Sequence, residues 1–132
     1  EYSTVLFFEE NESYGEDFDQ MIDNATTNYK TFVRVYTNVT GSVDTSMDRP
    51  LSQFNTEPEY VQCTYTKGLL MFNSIRETVG DRKFFKALKD YYQDFAYKNA
   101  APADMIASFN KSTGYDLEGF ISSWLNGEVV IQ

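Results

Sequence analysis

Apolar side chains recur at three- and four-residue spacing along most of this chain, which is the period of an amphipathic helix. The longest such stretch runs from about Ser13 to Tyr36. Two more stripes lie before and after Gly80, and others follow Pro102 and Asp116. This spacing predicts an all-α fold of five to six helices.

Residues with strong preferences at helix ends mark the predicted boundaries. Gly80 is suited to end one helix, and Asp81 to cap the next by accepting its backbone N–H groups. Pro102 fits the first turn of a helix, where its missing N–H costs nothing. Asp116 is predicted to cap the last helix, which should end at Gly127.

Three segments lack a clear helical period. The run Val5–Phe8 is short and apolar, so its length favours a strand while its context favours a helix. From Thr37 to Pro58 the residues are those of turns, which predicts a long loop. The tail Glu128–Gln132 is consistent with a short strand or with the start of a further segment.

Composition excludes two classes of partner. The 132 residues carry a net charge of −9, which opposes the cationic surface that binds a phosphate backbone, so we expect no nucleic-acid partner. No apolar run approaches the ~20 residues needed to cross a bilayer. The chain has the size of one domain, and its 11 Phe and 10 Tyr predict a core built largely from rings.

The residue types most often used in metal and nucleophile chemistry are scarce. The chain has no histidine, and its one cysteine, Cys63, is expected to be a small, partly buried hydrophobic residue. The acidic stretch Glu9, Glu10, Glu12 and Glu16–Asp17 is better explained as a solvated helix end than as a cation site. We expect no metal ion to be bound by this chain.

One segment carries a recognisable motif. Tyr65-Thr66-Lys67-Gly68 is followed by an apolar helix, and further matching residues continue in order to Leu125. This ordered set resembles the catalytic domain of the aminopeptidase N-type zinc metallopeptidases, in the gluzincin class of the peptidase MA clan. The matching positions are Val79-Gly80-Asp81, Phe84-Phe85, Leu88, Tyr91, Asn99-Ala100, Asp104, Gly114, Asp116-Leu117, Phe120 and Trp124-Leu125.

The resemblance implies a fold, a cofactor and a larger protein. Residues 1–132 correspond to the helical C-terminal subdomain of a thermolysin-like catalytic domain. In such peptidases zinc is held by His-Glu-x-x-His and by a later Glu, and the segment Glu1–Phe8 resembles the run that follows that Glu. The ligands are thus expected upstream of Glu1, in an N-terminal half of the catalytic domain that packs against this chain. The full-length parent protein is expected to bind zinc and peptide substrate, and this chain alone to be inactive.

The resemblance also implies a catalytic residue. In the family, the Tyr of Tyr-x-Lys-Gly directs its hydroxyl at the scissile carbonyl and stabilises the oxyanion that forms there, and this position is Tyr65. The alternative is that Tyr65 only packs at the start of a helix. Tyr60 either lines the same substrate cleft or packs in the core. Lys67 and Gly68 are expected to be structural, with Lys67 ending near solvent or a carboxylate. The family more often has a Ser or Thr cap where this chain has Ala101.

Two other functions compete with a peptidase fragment. One is a non-catalytic helical binding module, which is either a relative that lost its metal site or an unrelated domain whose acidic loop between Thr37 and Pro58 binds a partner. The loss of the upstream His-Glu-x-x-His would favour it. The other is a calcium-binding domain, which calcium would stabilise against heat. The sequence leaves the aminopeptidase specificity and the compartment open, and its composition favours a secreted or surface-attached bacterial protein.

Overall fold

A computed structural model describes residues 1–15, 17–129 and 131 of the chain. The regular structure of these residues is entirely helical, which confirms the predicted all-α fold. Helix α3 continues through a π-helical segment, Gln62–Thr66, into α4, so the seven α-helices form six continuous rods. The helices are α1 (Tyr2–Glu10), α2 (Phe18–Thr40), α3 (Glu57–Val61), α4 (Lys67–Val79), α5 (Asp81–Phe95), α6 (Pro102–Thr113) and α7 (Glu118–Leu125).

The first two helices resolve the open predictions at the start of the chain. The apolar run Val5–Phe8 lies in α1 and is helical. Helix α2 begins at Phe18, later than the predicted start near Ser13, because the Asp17 carboxylate caps it by accepting the Gln20 N–H at 2.9 Å. Glu16 of the acidic stretch lies outside the described residues.

The predicted loop is confirmed over most of its length. Helix α2 extends to Thr40, and the next α-helix begins at Glu57, so the irregular segment is residues 41–56 and contains one short 3₁₀ turn, Leu51–Gln53. The Thr56 hydroxyl caps α3 by accepting the Glu59 N–H at 3.2 Å. Residues 41–56 are called the loop below.

The prediction that Asp81 caps α5 is wrong. Gly80 occupies the cap position, and Asp81 is the first residue of the helix. Its carboxylate accepts hydrogen bonds from Arg76 at 2.9 and 3.2 Å, and this guanidinium lowers the pKa of Asp81. The end of α4 and the start of α5 are therefore joined by an ion pair.

The last two helices begin near the predicted positions. Pro102 opens α6, and although Ala101 has no capping side chain, the Asp104 carboxylate accepts the Ala101 N–H at 2.8 Å. The Asp116 carboxylate accepts the Glu118 N–H at 3.2 Å at the start of α7. The described tail residues 128, 129 and 131 form no regular structure, and the prediction for residues 130 and 132 lies outside the described residues.

The residues divide into two compact units, each with its own buried side chains. The first comprises the described residues of Glu1–Phe72 and Trp124–Gln132, and the second comprises Asn73–Ser123. The apolar core of the first contains Tyr2, Val5, Ala25, Tyr29, Phe32, Cys63, Leu69, Leu70, Met71 and Trp124. That of the second contains Ile75, Val79, Phe84, Ala87, Phe109, Leu117 and Ile121.

In the described part of the chain, no helix combines the length and apolar character that a membrane crossing requires. The prediction that residues 1–132 form a single domain, cut from a larger catalytic domain, stays a prediction.

Candidate active site

The predicted catalytic residue, Tyr65, lies in the π-helical segment Gln62–Thr66. It does not stand at the start of a helix, as the sequence suggested, because α3, the π segment and α4 are continuous. A π turn accommodates one residue more than an α turn and is found mostly as a short insertion, often at functional sites. Helix α2 packs against this segment within the first unit.

The side chain of Tyr65 is accessible. It is 45% exposed, although Cys63 and Lys67 on either side of it are buried. A hydrogen bond with Tyr60, and more weakly the charge of Glu1, raise the pKa of the Tyr65 phenol above its ordinary value. Tyr65 is therefore protonated at neutral pH and able to donate a hydrogen bond.

Tyr60 and Tyr65 are brought together. Their rings meet edge to face, with centroids 5.6 Å apart and an interplanar angle of 87°. On its other side the Tyr60 ring meets Phe54 edge to face at 5.2 Å. Tyr60 is half-buried, so it packs and also lines a cavity of about 300 Å³. The other residues lining this cavity are Leu51, Phe54, Asn55, Thr56 and Glu57.

A second cavity, of about 280 Å³, is lined by Thr66, the residue after Tyr65. Its walls carry polar and apolar groups, and they come from α1 and the residue before it, from α2, from the π segment and from α4. The other lining residues are Glu1, Val5, Met21, Asn24, Ala25, Asn28 and Leu69.

The expectation that Lys67 ends near solvent or a carboxylate is wrong. Lys67 is fully buried, and its ammonium group donates a hydrogen bond to the Thr45 carbonyl oxygen at 2.7 Å. Burial lowers the pKa of Lys67, with the negative charge of Asp44 opposing part of that effect. The lysine therefore fastens the loop to the beginning of α4.

Two further buried charges were not recognised in the sequence. Glu59 is 2% exposed, and its carboxylate lies 2.8 Å from Nη1 of Arg49, whose side chain is also buried. Glu59, Cys63 and Lys67 are spaced four residues apart, so they share one side of the helix. When charged residues such as Glu59 and Lys67 occupy the buried side of a helix, this indicates polar contacts inside the protein. Nothing in the sequence identified Arg49 as the partner, because it comes from the irregular loop.

Cys63 is fully buried, more so than the partly buried position that its sequence context indicated. Burial raises the pKa of its thiol, which disfavours the thiolate that a nucleophile requires. Its sulfur lies 3.7 Å from the Asp44 carbonyl oxygen, another contact between this helix and the loop.

The residues of this chain do not fit a zinc site. The sequence has no histidine, and the described residues contain no group of three or more His, Cys, Asp or Glu side chains placed to hold a metal ion. The zinc that the family resemblance implies is thus not assigned to any residue of this chain.

Comparison with known proteins identifies a family and several relatives. The family model described as "Peptidase family M1 domain" matches residues 2–124. Aminopeptidase N of Lactococcus lactis subsp. lactis is 31% identical over 61 residues, which cover 46% of this chain and 7% of that protein. Aminopeptidase N of Streptomyces lividans is 29% identical over 62 residues, or 47% of this chain and 7% of that protein.

A human relative matches to a similar extent. Endoplasmic reticulum aminopeptidase 2 of Homo sapiens is 30% identical over 69 residues, which cover 48% of this chain and 7% of that protein. The matched part of this chain thus spans only 7% of the length of each of these curated relatives. No solved structure gives a significant match.

Proposed function

The chain belongs to peptidase family M1, and on this premise we propose that it forms the helical second part of a zinc aminopeptidase's catalytic domain. Three relatives named as aminopeptidases support this activity for the full-length parent protein. The zinc ligands are assigned to a part of the parent that precedes this sequence. The residues of this chain contribute to binding the peptide and to stabilising charge on it.

The observation that carries the proposal is the accessible Tyr65 phenol on a π-helical turn. Cys63 and Lys67, two residues before and two residues after it, are buried, yet this ring is 45% exposed and touches Tyr60 edge to face. A protonated phenol held at a helix surface is able to donate a hydrogen bond to an oxygen atom of a bound peptide.

The role proposed for Tyr65 is to stabilise the oxyanion that forms on the scissile carbonyl. Negative charge grows on that oxygen during attack by water, and a fixed donor binds it more strongly than it binds the neutral carbonyl. The raised pKa of Tyr65 keeps its proton in place through the neutral range. Tyr65 thus acts as a hydrogen-bond donor and not as a base.

Tyr60 is assigned to substrate binding. It lines the cavity of about 300 Å³ whose other walls are partly apolar, from Leu51 and Phe54, and partly polar, and whose size suits one amino-acid side chain. Because the Tyr60 ring also touches Tyr65, a side chain bound there lies close to the proposed catalytic hydroxyl. The same ring therefore links specificity to the position of the catalytic group.

The decisive experiment is Tyr65→Phe in the full-length parent, assayed with aminoacyl reporter substrates. Loss of one oxyanion donor typically costs about 2.7–4 kcal/mol of transition-state stabilisation, so we expect kcat to fall by ~10²–10³-fold with KM nearly unchanged. The matched control is Tyr92→Phe, which removes a phenol from a 68% exposed ring on α5 and should leave kcat unchanged. An unchanged kcat in Tyr65→Phe removes Tyr65 from the mechanism.

The same assay applied to residues 1–132 alone tests the fragment part of the proposal. We expect no hydrolysis, because the chain has no histidine to contribute to a zinc site. Cleavage that a metal chelator abolishes would show that this chain is itself a complete peptidase.

A further inference from the structure

A set of buried polar contacts fastens the loop to the helix that carries Tyr65. We call it the loop brace and define it by three charged residues: Arg49 from the loop, and Glu59 and Lys67 from the helix. Both partners of its ion pair are nearly inaccessible, with 5% of the Arg49 side chain and 3% of the Glu59 side chain exposed. Lys67 is fully buried. Charges are buried in this way only where they are paired or hydrogen-bonded.

The helix presents these side chains to the loop at regular intervals. Glu59, Cys63 and Lys67 are four residues apart, and each contacts a loop residue. In an uninterrupted α-helix, every step of four residues would turn the side chain by roughly 40° beyond a full turn. The π turn between residues 62 and 66 holds more residues per turn, so it reduces this extra rotation. The π segment therefore lets one side of the helix meet the loop along its length while Tyr65 stays exposed.

Arg49 is the centre of the brace. Its guanidinium donates to three carbonyl oxygens of the loop and pairs with two carboxylates, that of Glu59 and, at 3.4 Å, that of Asp44, which satisfies most of its donors. The acceptors are the carbonyl oxygens of Ser46 at 3.1 Å, Gln53 at 3.2 Å and Asp44 at 3.0 Å, together with Glu59 at 2.8 Å.

The second oxygen of the Glu59 carboxylate is also occupied. It accepts the backbone N–H of Asn55 at 3.0 Å and the side-chain amide of the same residue at 3.1 Å. Both ends of the ion pair are thus tied to the loop backbone, so the loop cannot shift without breaking several charge-assisted hydrogen bonds.

A second route of contact connects Arg49 to the proposed catalytic ring. The guanidinium lies over the Phe54 ring, 3.9 Å from its centroid. Phe54 meets Tyr60 edge to face, and Tyr60 meets Tyr65 in the same way. Displacing Arg49 therefore removes contacts both from the helix that carries Tyr65 and, through Phe54, from the Tyr60 ring that touches Tyr65.

We propose that Arg49 is a positioning residue for Tyr65, acting through Glu59 and through the Phe54 and Tyr60 rings. The inference rests on the proposed function of Tyr65. Well-packed apolar residues often replace a buried ion pair with no loss of stability, so stability alone does not account for a brace of this kind. A fixed direction for the phenol does account for it, because a misplacement of ~1 Å at a catalytic group can lower a rate by about 10²-fold.

The test is a double-mutant cycle in the full-length parent with Arg49→Gln and Tyr65→Phe. We expect Arg49→Gln to lower kcat by about 10- to 100-fold with KM changed less than about twofold. In the Tyr65→Phe background the same Arg49→Gln substitution should lower kcat no further, because the group that it positions is gone. An equal loss in both backgrounds would show that Arg49 is merely structural and would overturn the proposal.

The matched control is Arg76→Gln. Arg76 also pairs with a carboxylate, Asp81, and lies 5.0 Å from the centroid of the Phe85 ring, but it is near the end of α4 and belongs to the second unit. This variant should leave kcat unchanged. A loss as large as that of Arg49→Gln would show that the assay responds to any lost ion pair.

A second variant covers the case in which Arg49→Gln does not fold, because it leaves Glu59 buried without its partner. Arg49→Met combined with Glu59→Met removes both charges and keeps the volume, so the parent should remain folded. It should show the same loss of kcat, again only with Tyr65 intact. A folded double variant with full kcat would overturn the proposal.

A readout independent of activity separates this inference from the proposed function. Fluorotyrosine placed at position 65 of the parent should give one sharp fluorine NMR signal, and a shifted or broadened signal in either Arg49 variant. If Tyr65→Phe leaves kcat unchanged but the signal still responds, the catalytic role fails and the positioning contact stands. An unaltered signal means that Arg49 does not position the ring.

Discussion

The loop and the helix pair α5–α6 are held in place by opposite kinds of chemistry. The loop has little regular structure of its own, and the buried charges of Arg49, Glu59 and Lys67 fix it to the helix behind it. In the second unit, α5 packs on α6 through rings, with Phe84 and Phe109 fully buried and 6.3 Å apart between centroids. The loop relies on directed polar contacts, and the α5–α6 pair relies on buried apolar area.

This difference shows in which region the exact position of the backbone matters more than its contribution to stability. Apolar burial is non-directional and grows with the area removed from water, so it holds helices together without fixing any one atom. Hydrogen bonds to charged groups depend on distance and angle, so they fix a backbone segment in one place. The polar region is the one that contacts the helix of Tyr65.

The largest effect expected in this comparison is that of Phe109→Ala. The Phe109 ring is fully buried and meets both Phe84 and Tyr91 edge to face, at 6.3 and 6.4 Å. Its removal leaves a cavity and should lower the free energy of unfolding by about 3–5 kcal/mol. Chemical denaturation followed by circular dichroism measures this loss.

Phe85→Ala is the matched control for that measurement. Phe85 lies next to Phe84 in α5 but is 40% exposed, so it contributes less buried area. We expect its loss to cost less than half as much as that of Phe109. Equal costs would mean that area burial does not govern the ring-packed region, and the contrast with the loop would fail.

A smaller effect is expected at two glycines, one that follows α7 and lies against the loop and one that follows α6. Gly127 and Gly114 both have positive φ, at 79° and 73°, so alanine at either position should cost roughly 1–2 kcal/mol. At Gly127 the added methyl group would lie 2.9 Å from the Ser46 backbone nitrogen, whereas at Gly114 it meets nothing within 4 Å. Gly127→Ala should therefore cost a further ~1–3 kcal/mol from overpacking.

Thermal or chemical denaturation of the two glycine variants checks this prediction directly. The pair isolates the contribution of the loop, because both positions carry the same backbone strain. If Gly114→Ala proves as costly as Gly127→Ala, the loop backbone moves aside easily, and it is not the rigid element that the brace requires.

The ring-packed region is the part that the sequence predicted well. Helical spacing predicted buried stripes after Gly80 and after Pro102, and Phe84 and Phe109 in these stripes are fully buried. The same spacing also placed Phe85 in the buried stripe, which is wrong, since Phe85 is 40% exposed. The helix ends were less certain. Asp81 was expected to cap α5 but pairs with Arg76, because a local rule for helix ends does not anticipate an ion pair with the preceding helix.

The candidate site was predictable only in part. The motif located Tyr65, and Tyr60 was recognised as a neighbour, but the π turn that aligns them has no signature in a single sequence. Lys67 was expected to end near solvent or a carboxylate, because lysine is almost never fully buried unless it is paired. Its acceptor is the backbone carbonyl of Thr45, 22 residues away in an irregular loop, and no periodicity reveals such a partner.

The smallest effect is expected from Lys67→Met, which compares the loop with the α5–α6 pair through the pH dependence of stability. Burial lowers the pKa of Lys67 below its ordinary value of 10.5, so in the window between the two values the unfolded chain binds more protons than the folded chain. The stability of the wild type relative to Lys67→Met should therefore rise as pH increases toward 10.5. No such rise is expected of the ring-packed α5–α6 contacts, which carry no buried charge of this kind.

Taking the difference between the two proteins removes the contribution of alkaline groups that do not interact with Lys67. Cys63 interacts with Lys67, and burial raises the pKa of its thiol, so its contribution stays in the difference. Burial raises the pKa of Tyr29 to about 12, which lowers stability above pH ~10 in both proteins and so cancels in the difference. Urea denaturation at a series of pH values from neutral to 10 provides the curve. A flat difference would mean that the Lys67 ammonium is solvated in the folded chain, and the loop would then be held by Arg49 and Glu59 alone.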